Sequence, residues 1–267
     1  MGTRRGGGGA RGAVSGSRAR LEITGAEGRL RVASANAPQR WAAVRPAADG
    51  WIEAVHQTIG DGVFAGELHR TSIAATEGAR VVVRGITAVP LRGPRPSGTA
   101  TSVRVGRGAS VCLLPGALIP QTAADHSAAL RIDVDADATA LAASIVVPGR
   151  SGMGERGAFR RLRLRTTARV AGRLAFLEDA TIEPERAFLD GPAGYRGFDA
   201  SLTVIALGAW APASVEWWDG VAGERGVGGA SLLREGGVCY RALFPTLGDA
   251  LASVAFVERR VRALPGV

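Results

Sequence analysis

A short strand, a turn and a second strand recur along this chain about every 30 residues, and no other feature restricts its fold so much. Ser72-Ile73-Ala74-Ala75-Thr76-Glu77-Gly78-Ala79-Arg80-Val81-Val82-Val83 is matched almost position for position by Ser102-Val103-Arg104-Val105-Gly106-Arg107-Gly108-Ala109-Ser110-Val111-Cys112-Leu113. Residues 131–141 form a weaker third copy and residues 169–176 a looser fourth. Gly78, Gly108 and Gly172 supply the positive φ that tight hairpin turns require, and Asp137 tolerates it. The flanks alternate, as in Leu162-Arg163-Leu164-Arg165, with Leu directed at a core and Arg at solvent. Units of this kind bury their apolar faces only against one another. The expected fold is all-β: stacked hairpin units forming an extended β-sandwich or solenoid-like scaffold.

One helix is expected, at the C-terminal end. Between residues 246 and 264, apolar side chains recur at Leu247, Ala250, Leu251, Val254, Val257, Val261 and Leu264. Thr246 is positioned as N-cap with Asp249 three residues on, Arg259, Arg260 and Arg262 suit the negative end of the dipole, and Pro265-Gly266 ends the helix. Its apolar face is expected to pack on the sheet. Residues 1–20 are rich in Gly, Arg and Ser with little apolar content, and read as a disordered tail. Their five arginines account for more than half of the net charge of +9. Residues 21–267 are expected to be a single β-rich domain, large enough to hold a core without a disulfide or metal.

The chemistry that the residues exclude is extensive. With no lysine in the chain, P-loop, Schiff-base and kinase-type lysine chemistry is absent. There is no G-x-S-x-G and no H-E-x-x-H. Gly7-Gly8-Gly9-Ala10-Arg11-Gly12 fits G-x-G-x-x-G in letters only, with no strand before it and no helix after it. His56, His69 and His126 fit no compact ligand spacing and read as three independent surface or edge residues. Asp133, Asp135 and Asp137 open like an EF-hand loop, but Ala138 and Ser144 stand where Gly and Glu are needed. They read as a solvated strand face opposite Ile132, Val134 and Ala136. The Gly-rich segment 149–157 reads as a bulged loop between strands, with an anion cradle as its functional counterpart. Trp217-Trp218 and Tyr195 are not interleaved with basic residues, against a stacking surface for single-stranded nucleic acid. Cys112 and Cys239 sit in apolar stretches and read as buried free thiols. The uncharged run 200–215 is too short and too broken for a membrane span, and no apolar leader opens the sequence. A cytoplasmic protein without an active site and without a tightly bound cofactor is expected.

From Leu113 to Ile182 the sequence resembles the urease accessory protein family UreD, also called UreH. The resemblance rests on Leu114-Pro115-Gly116-Ala117-Leu118-Ile119-Pro120, then Gly149-Arg150, Gly154-Glu155, Phe159-Arg160-Arg161-Leu162 and Asp179, in that order. Upstream, Asp61-Gly62-Val63-Phe64-Ala65-Gly66-Glu67 keeps part of a G-G-L-x-G-G-D element, with Glu67 in place of Asp. Segment 84–92 departs further: its Arg84-Gly85-Ile86-Thr87-Ala88-Val89-Pro90-Leu91-Arg92 lacks the family's Thr pair, Gln and Lys. The resemblance implies a non-enzymatic, all-β chaperone that binds apo-urease with the accessory protein UreF and the GTPase UreG. It also implies transient handling of Ni²⁺ during insertion into the urease active site. By the same resemblance Glu67, Glu155 and Asp179 are passage or interface carboxylates, Arg150 orders its loop through a charge-assisted bond, and Gly149, Gly154 and Pro120 shape the partner loop. Each of these residues is equally well a fold-determining loop residue. Two other classes stay open: an RNA-associated protein using the Arg/Gly tail, and a β-stacked ligand-binding protein or enzyme whose site comes from distant residues.

Overall fold

In the computed structural model, which describes residues 15–86, 88–185, 189–191, 194–208 and 215–263, the 30-residue repeat is one coil of a two-sheet stack. The first sheet runs, in spatial order, β2 (Arg29–Ala35), β1 (Ser15–Thr24), β5 (Glu67–Thr76), β8 (Ser97–Val105), β11 (Asp125–Val134), β13 (Arg161–Val170) and β14 (Arg173–Ile182). The second runs β3 (Gln39–Pro46), β4 (Ile52–Thr58), β6 (Arg80–Gly85), β9 (Ser110–Leu114), β12 (Thr139–Val146), β15 (Ala200–Gly208), β17 (Gly237–Phe244) and β16 (Val227–Leu232). Two short strands, β7 (Val89–Leu91) and β10 (Leu118–Pro120), join the second sheet through β12. The fold is mainly β, as expected.

The hairpin reading of the first three units needs correction. β5 and β6 do not pair with each other: the turn at Gly78 carries the chain from the first sheet to the second. Equivalent residues of successive coils then lie side by side in parallel register, Ile73 beside Val103 beside Ile132 beside Ala168, and Val81 beside Val111 beside Ala140. The turns stack too, the Gly78 N–H donating to the Arg107 carbonyl at 3.1 Å. Gly78 and Gly108 hold φ of 79° and 62°, the left-handed region that favours glycine. The positive φ expected of Asp137 is absent, while Glu77 and Ala171 adopt it. Only the fourth unit is a hairpin, β13 and β14 pairing antiparallel about Gly172.

Burial separates the two sheets. Every residue of β9 is buried, and β12 is buried except at Ser144, because the second sheet is covered on both faces. Its inner face meets the first sheet, Val81, Val111, Ala140 and Ile205 packing with Leu21, Ile73, Val103 and Ile132. Its outer face, with Val82, Cys112, Leu141 and Leu202, is covered by α1 (Leu247–Arg262) through Ala250, Val254, Val257 and Val261. Thr246 caps α1, accepting from the Asp249 N–H at 3.1 Å and donating to the Asp249 carboxylate at 2.7 Å. Leu251, by contrast, is exposed. Leu264, Pro265 and Gly266 lie outside the described residues.

The expectation of disorder does not hold for residues 15–20. Ser15–Thr24 is β1, paired in parallel with β5 along its whole length, so Arg18 and Arg20 belong to a sheet. Ala19, Leu21 and Ile23 point into the core and carry the apolar content that the Gly/Arg/Ser composition conceals. Residues 1–14 lie outside the described residues. The three aspartates also divide: Asp133 is on β11 and bonds Arg131 at 2.7 Å, whereas Asp135 and Asp137 sit in the exposed turn beyond Val134. Cys112 and Cys239 are buried and free, and burial raises the pKa of both thiols. Among the described residues no helix is long and apolar enough to cross a membrane.

Candidate functional site

The apolar packing between the sheets is interrupted by a band of polar side chains. Across the first sheet, Thr71, Thr101, Leu130, Thr166 and Glu178 lie in one register row. On the second sheet Ser144, Thr203 and Arg241 lie in register, as do His56 and Gly85. All of these residues line one cavity of about 360 Å³ between the sheets. Two residues further along each strand, at Ile73, Val103, Ile132 and Ala168, the packing is fully apolar and buried. The cavity is therefore a crosswise polar belt over a hydrophobic floor. His56, Gln39 and His69 line it on the β4–β5 side; Glu178 and Arg241, paired at 2.5 Å, line it on the β14–β17 side.

The histidines overturn the reading of three independent surface residues. His126 is completely buried, His69 nearly so, and His56 partly buried. They sit within one polar cluster at the β4–β5 end and close enough to disfavour one another's charge. His56 Nε2 donates to Gln39 Oε1 at 3.0 Å, and the same oxygen accepts from Thr71 Oγ1 at 2.9 Å. Gln39 Nε2 donates to Ser17 Oγ at 2.8 Å. His126 is held by Ser97 at Nδ1 and by Thr99 at Nε2. Burial lowers the pKa of His56 and of His126 to about 4, and lowers that of His69 despite the opposing pull of Glu67. All three rings are neutral at pH 7. His69 Nε2 donates to Glu67 Oε2 at 3.1 Å, which leaves Nδ1 as a buried lone pair without a hydrogen-bond partner among the described residues.

The residues picked out by sequence occupy three places. Glu67 is at the histidine end of the cavity, holding His69 and accepting from the Phe64 N–H at 2.9 Å. Arg150 and Glu155 form a bidentate pair, at 2.7 and 2.5 Å, inside the Gly-rich loop. That pair lowers the pKa of the Glu155 carboxyl. Gly149 holds a φ of 113°, and a Cβ there would lie 2.2 Å from the Glu155 carbonyl oxygen. Gly154, at φ 71°, ends the single helical turn of the loop, and Pro120 is buried at the end of β10. Arg156 is bound by Asp190 and Asp199 at 2.6 and 2.7 Å, so both arginines of this loop are occupied by carboxylates. Asp179 is on the outer face of β14, paired bidentately with Arg163 at 2.7 Å. It is Glu178, one residue earlier, that faces the cavity.

The departing segment 84–92 borders the same cavity. Arg84 lines it while its guanidinium pairs with Glu258 of α1. Gly85 approaches Gly116 so closely that a Cβ would lie 2.3 Å from the Gly116 nitrogen. Val89–Leu91 forms β7, parallel to β10; Thr87 lies outside the described residues. Among the described residues no three His, Cys, Asp or Glu side chains are grouped to hold a metal ion. What the belt offers is a succession of neutral imidazoles and hydroxyls, with carboxylates at its ends and the guanidinium groups of Arg84 and Arg241 each paired with a carboxylate.

A two-sheet coil stack with a polar cavity between its sheets defines the class as a mainly β scaffold. The family profile described as UreD urease accessory protein matches residues 15–264, and the chain belongs to that family. The urease accessory protein UreD of Cenarchaeum symbiosum (strain A) is 29% identical over 223 residues, covering 77% of each chain. That of Azoarcus sp. (strain BH72) is 29% identical over 198 residues, covering 72% of this chain and 68% of the other.

Proposed function

We propose that this protein acts in urease maturation as a scaffold that docks apo-urease together with UreF and the GTPase UreG, and that Ni²⁺ crosses it through the belt between the sheets. The observation that carries the reading is the belt itself. Polar inward side chains interrupt the apolar interlayer on four strands of one sheet and are met by polar residues of the other. A divalent borderline cation is bound by neutral imidazole, carboxylate and hydroxyl oxygen in turn, and a path that must release it cannot close a tetrahedral site around it. His69 Nδ1, with its free lone pair, is the entry donor beside Glu67, and Glu178 is the carboxylate at the other end. The Arg150–Glu155 pair fixes the Gly-rich loop as a partner-facing element, and Asp179 serves the outer surface rather than the passage.

Two steps test this. Co-purification of the full chain with apo-urease and UreF should yield a stable complex, and deletion of the gene should abolish nickel-dependent urease activity in the host. Absence of any complex together with unchanged activity would remove the reading. Within the complex, His69→Ala should lower activation several-fold without releasing either partner; full activation by that variant would show that the ring is not on the path.

A further inference from the structure

The outer face of the first sheet carries a feature that the passage does not use. Strand alternation directs Arg18, Arg20, Arg70, Arg131, Arg165 and Arg169 outward, and these six line a shallow trough of about 670 Å³ with no acidic side chain among its lining residues. The register makes the trough: Arg18 and Arg70 are neighbours on β1 and β5, then come Ala100 and Ala129, then Arg165 on β13. The next row reads Arg20, Ser72, Ser102, Arg131 and Thr167. Small residues thus form a floor between two rails of arginine. Arg20, Arg131 and Arg165 have carboxylates nearby in Glu22, Asp133 and Asp179, but Arg18, Arg70 and Arg169 have no carboxylate partner among the described residues.

We infer that this trough docks an acidic α-helix of a partner protein. From Arg70 to Arg165 there are three strand spacings, roughly 14 Å, and from Arg18 four, roughly 19 Å. An α-helix is about 10–12 Å across with its side chains, so it seats on the Ala and Ser floor with carboxylates of both flanks reaching guanidinium forks. The other occupants fit worse. Residues 1–14 carry Arg4, Arg5 and Arg11 with no acid, so the chain's own N-terminal segment is repelled. A second copy would set arginine against arginine. No aromatic side chain lines the trough to stack a base, and a sheet face between rails presents nothing that enters a duplex groove. The inference concerns partner docking and is independent of nickel.

The test is fluorescence anisotropy of the full chain with a labelled Glu/Ala helical peptide of about 20 residues, ~30 Å long, alongside a polyuridylate of similar length at the same salt. The combined substitution Arg18→Glu, Arg70→Glu and Arg165→Glu should weaken peptide binding at least about tenfold. Arg107→Glu, Arg234→Glu and Arg259→Glu, an equal charge change at exposed positions away from the trough, should alter it less than about twofold. All six side chains are exposed, and unchanged melting of both variants verifies the fold. Equal losses in the two variants, tighter binding of polyuridylate than of peptide, or no saturable peptide binding would each overturn the inference.

Discussion

At the scale of single residues, the buried histidines give the structure a specific response to acid. His126 is fully buried with a pKa of about 4, against 6.5 for a free ring, so the unfolded chain binds its proton more tightly than the folded one. Stability from such a ring is complete above about pH 6.5 and is lost as pH falls towards 4, by an amount on the order of 3 kcal/mol for His126. The carboxylates whose pKa is lowered, Asp49, Glu155, Asp179 and Asp190, begin to lose their contribution only as pH falls into the ordinary carboxylate range, so most of the histidine loss comes first. Thermal melting from pH 7 to 4 should therefore show a decline that His126→Gln, which keeps a polar group for Ser97 and Thr99, makes shallower. Parallel decline of the two proteins would show that the ring does not titrate on unfolding. The cluster was not legible in the sequence, because His56, His69 and His126 come from three strands whose adjacency depends on the coil. One signal was present: Thr71 and Thr101 stand two positions before Ile73 and Val103, on the inward face, in both of the best-matched copies.

At the scale of elements, the helix was readable because its signals are local. The Thr246 cap, the i, i+3/i+4 apolar residues and the basic last turn all lie within one stretch of chain. Thr246→Ala should cost about 1 kcal/mol, lowering the melting temperature by roughly 2–4 °C for a chain of this size. Glu258 is a stronger anchor. It is almost wholly buried on α1 and pairs with Arg84 of β6 and, at 3.1 Å, with Arg262. Arg262 in turn holds Asp49 and Glu53. Glu258→Ala leaves two guanidinium groups facing an empty position and should cost about 3–5 kcal/mol, measured by urea unfolding; a loss under about 1 kcal/mol would mean the network is solvent-screened. Strand pairing was less legible than strand existence. Alternation states which face of a strand is buried but not which strand lies beside it, so a strand, a turn and a strand reads equally as a hairpin or as an arch between sheets. The distinguishing mark was composition. Residues 81–83 within β6 and 111–114 within β9 are continuous buried apolar runs, as sheets covered on both faces require.

At the scale of the whole molecule, two sheets and one helix enclose a polar belt within a largely apolar interlayer, and the proposed passage runs along that belt. Filling it tests the account most directly. Thr101→Leu with Thr203→Leu places apolar side chains across the belt from both sheets, each next to a buried apolar residue, Val103 and Ile205, on one side. The measurement is nickel-dependent urease activation in the reconstituted complex, with complex assembly monitored in the same samples. The expected result is unaltered assembly and activation reduced at least about tenfold. Intact assembly with wild-type activation would contradict passage through the belt and confine this chain to a docking role.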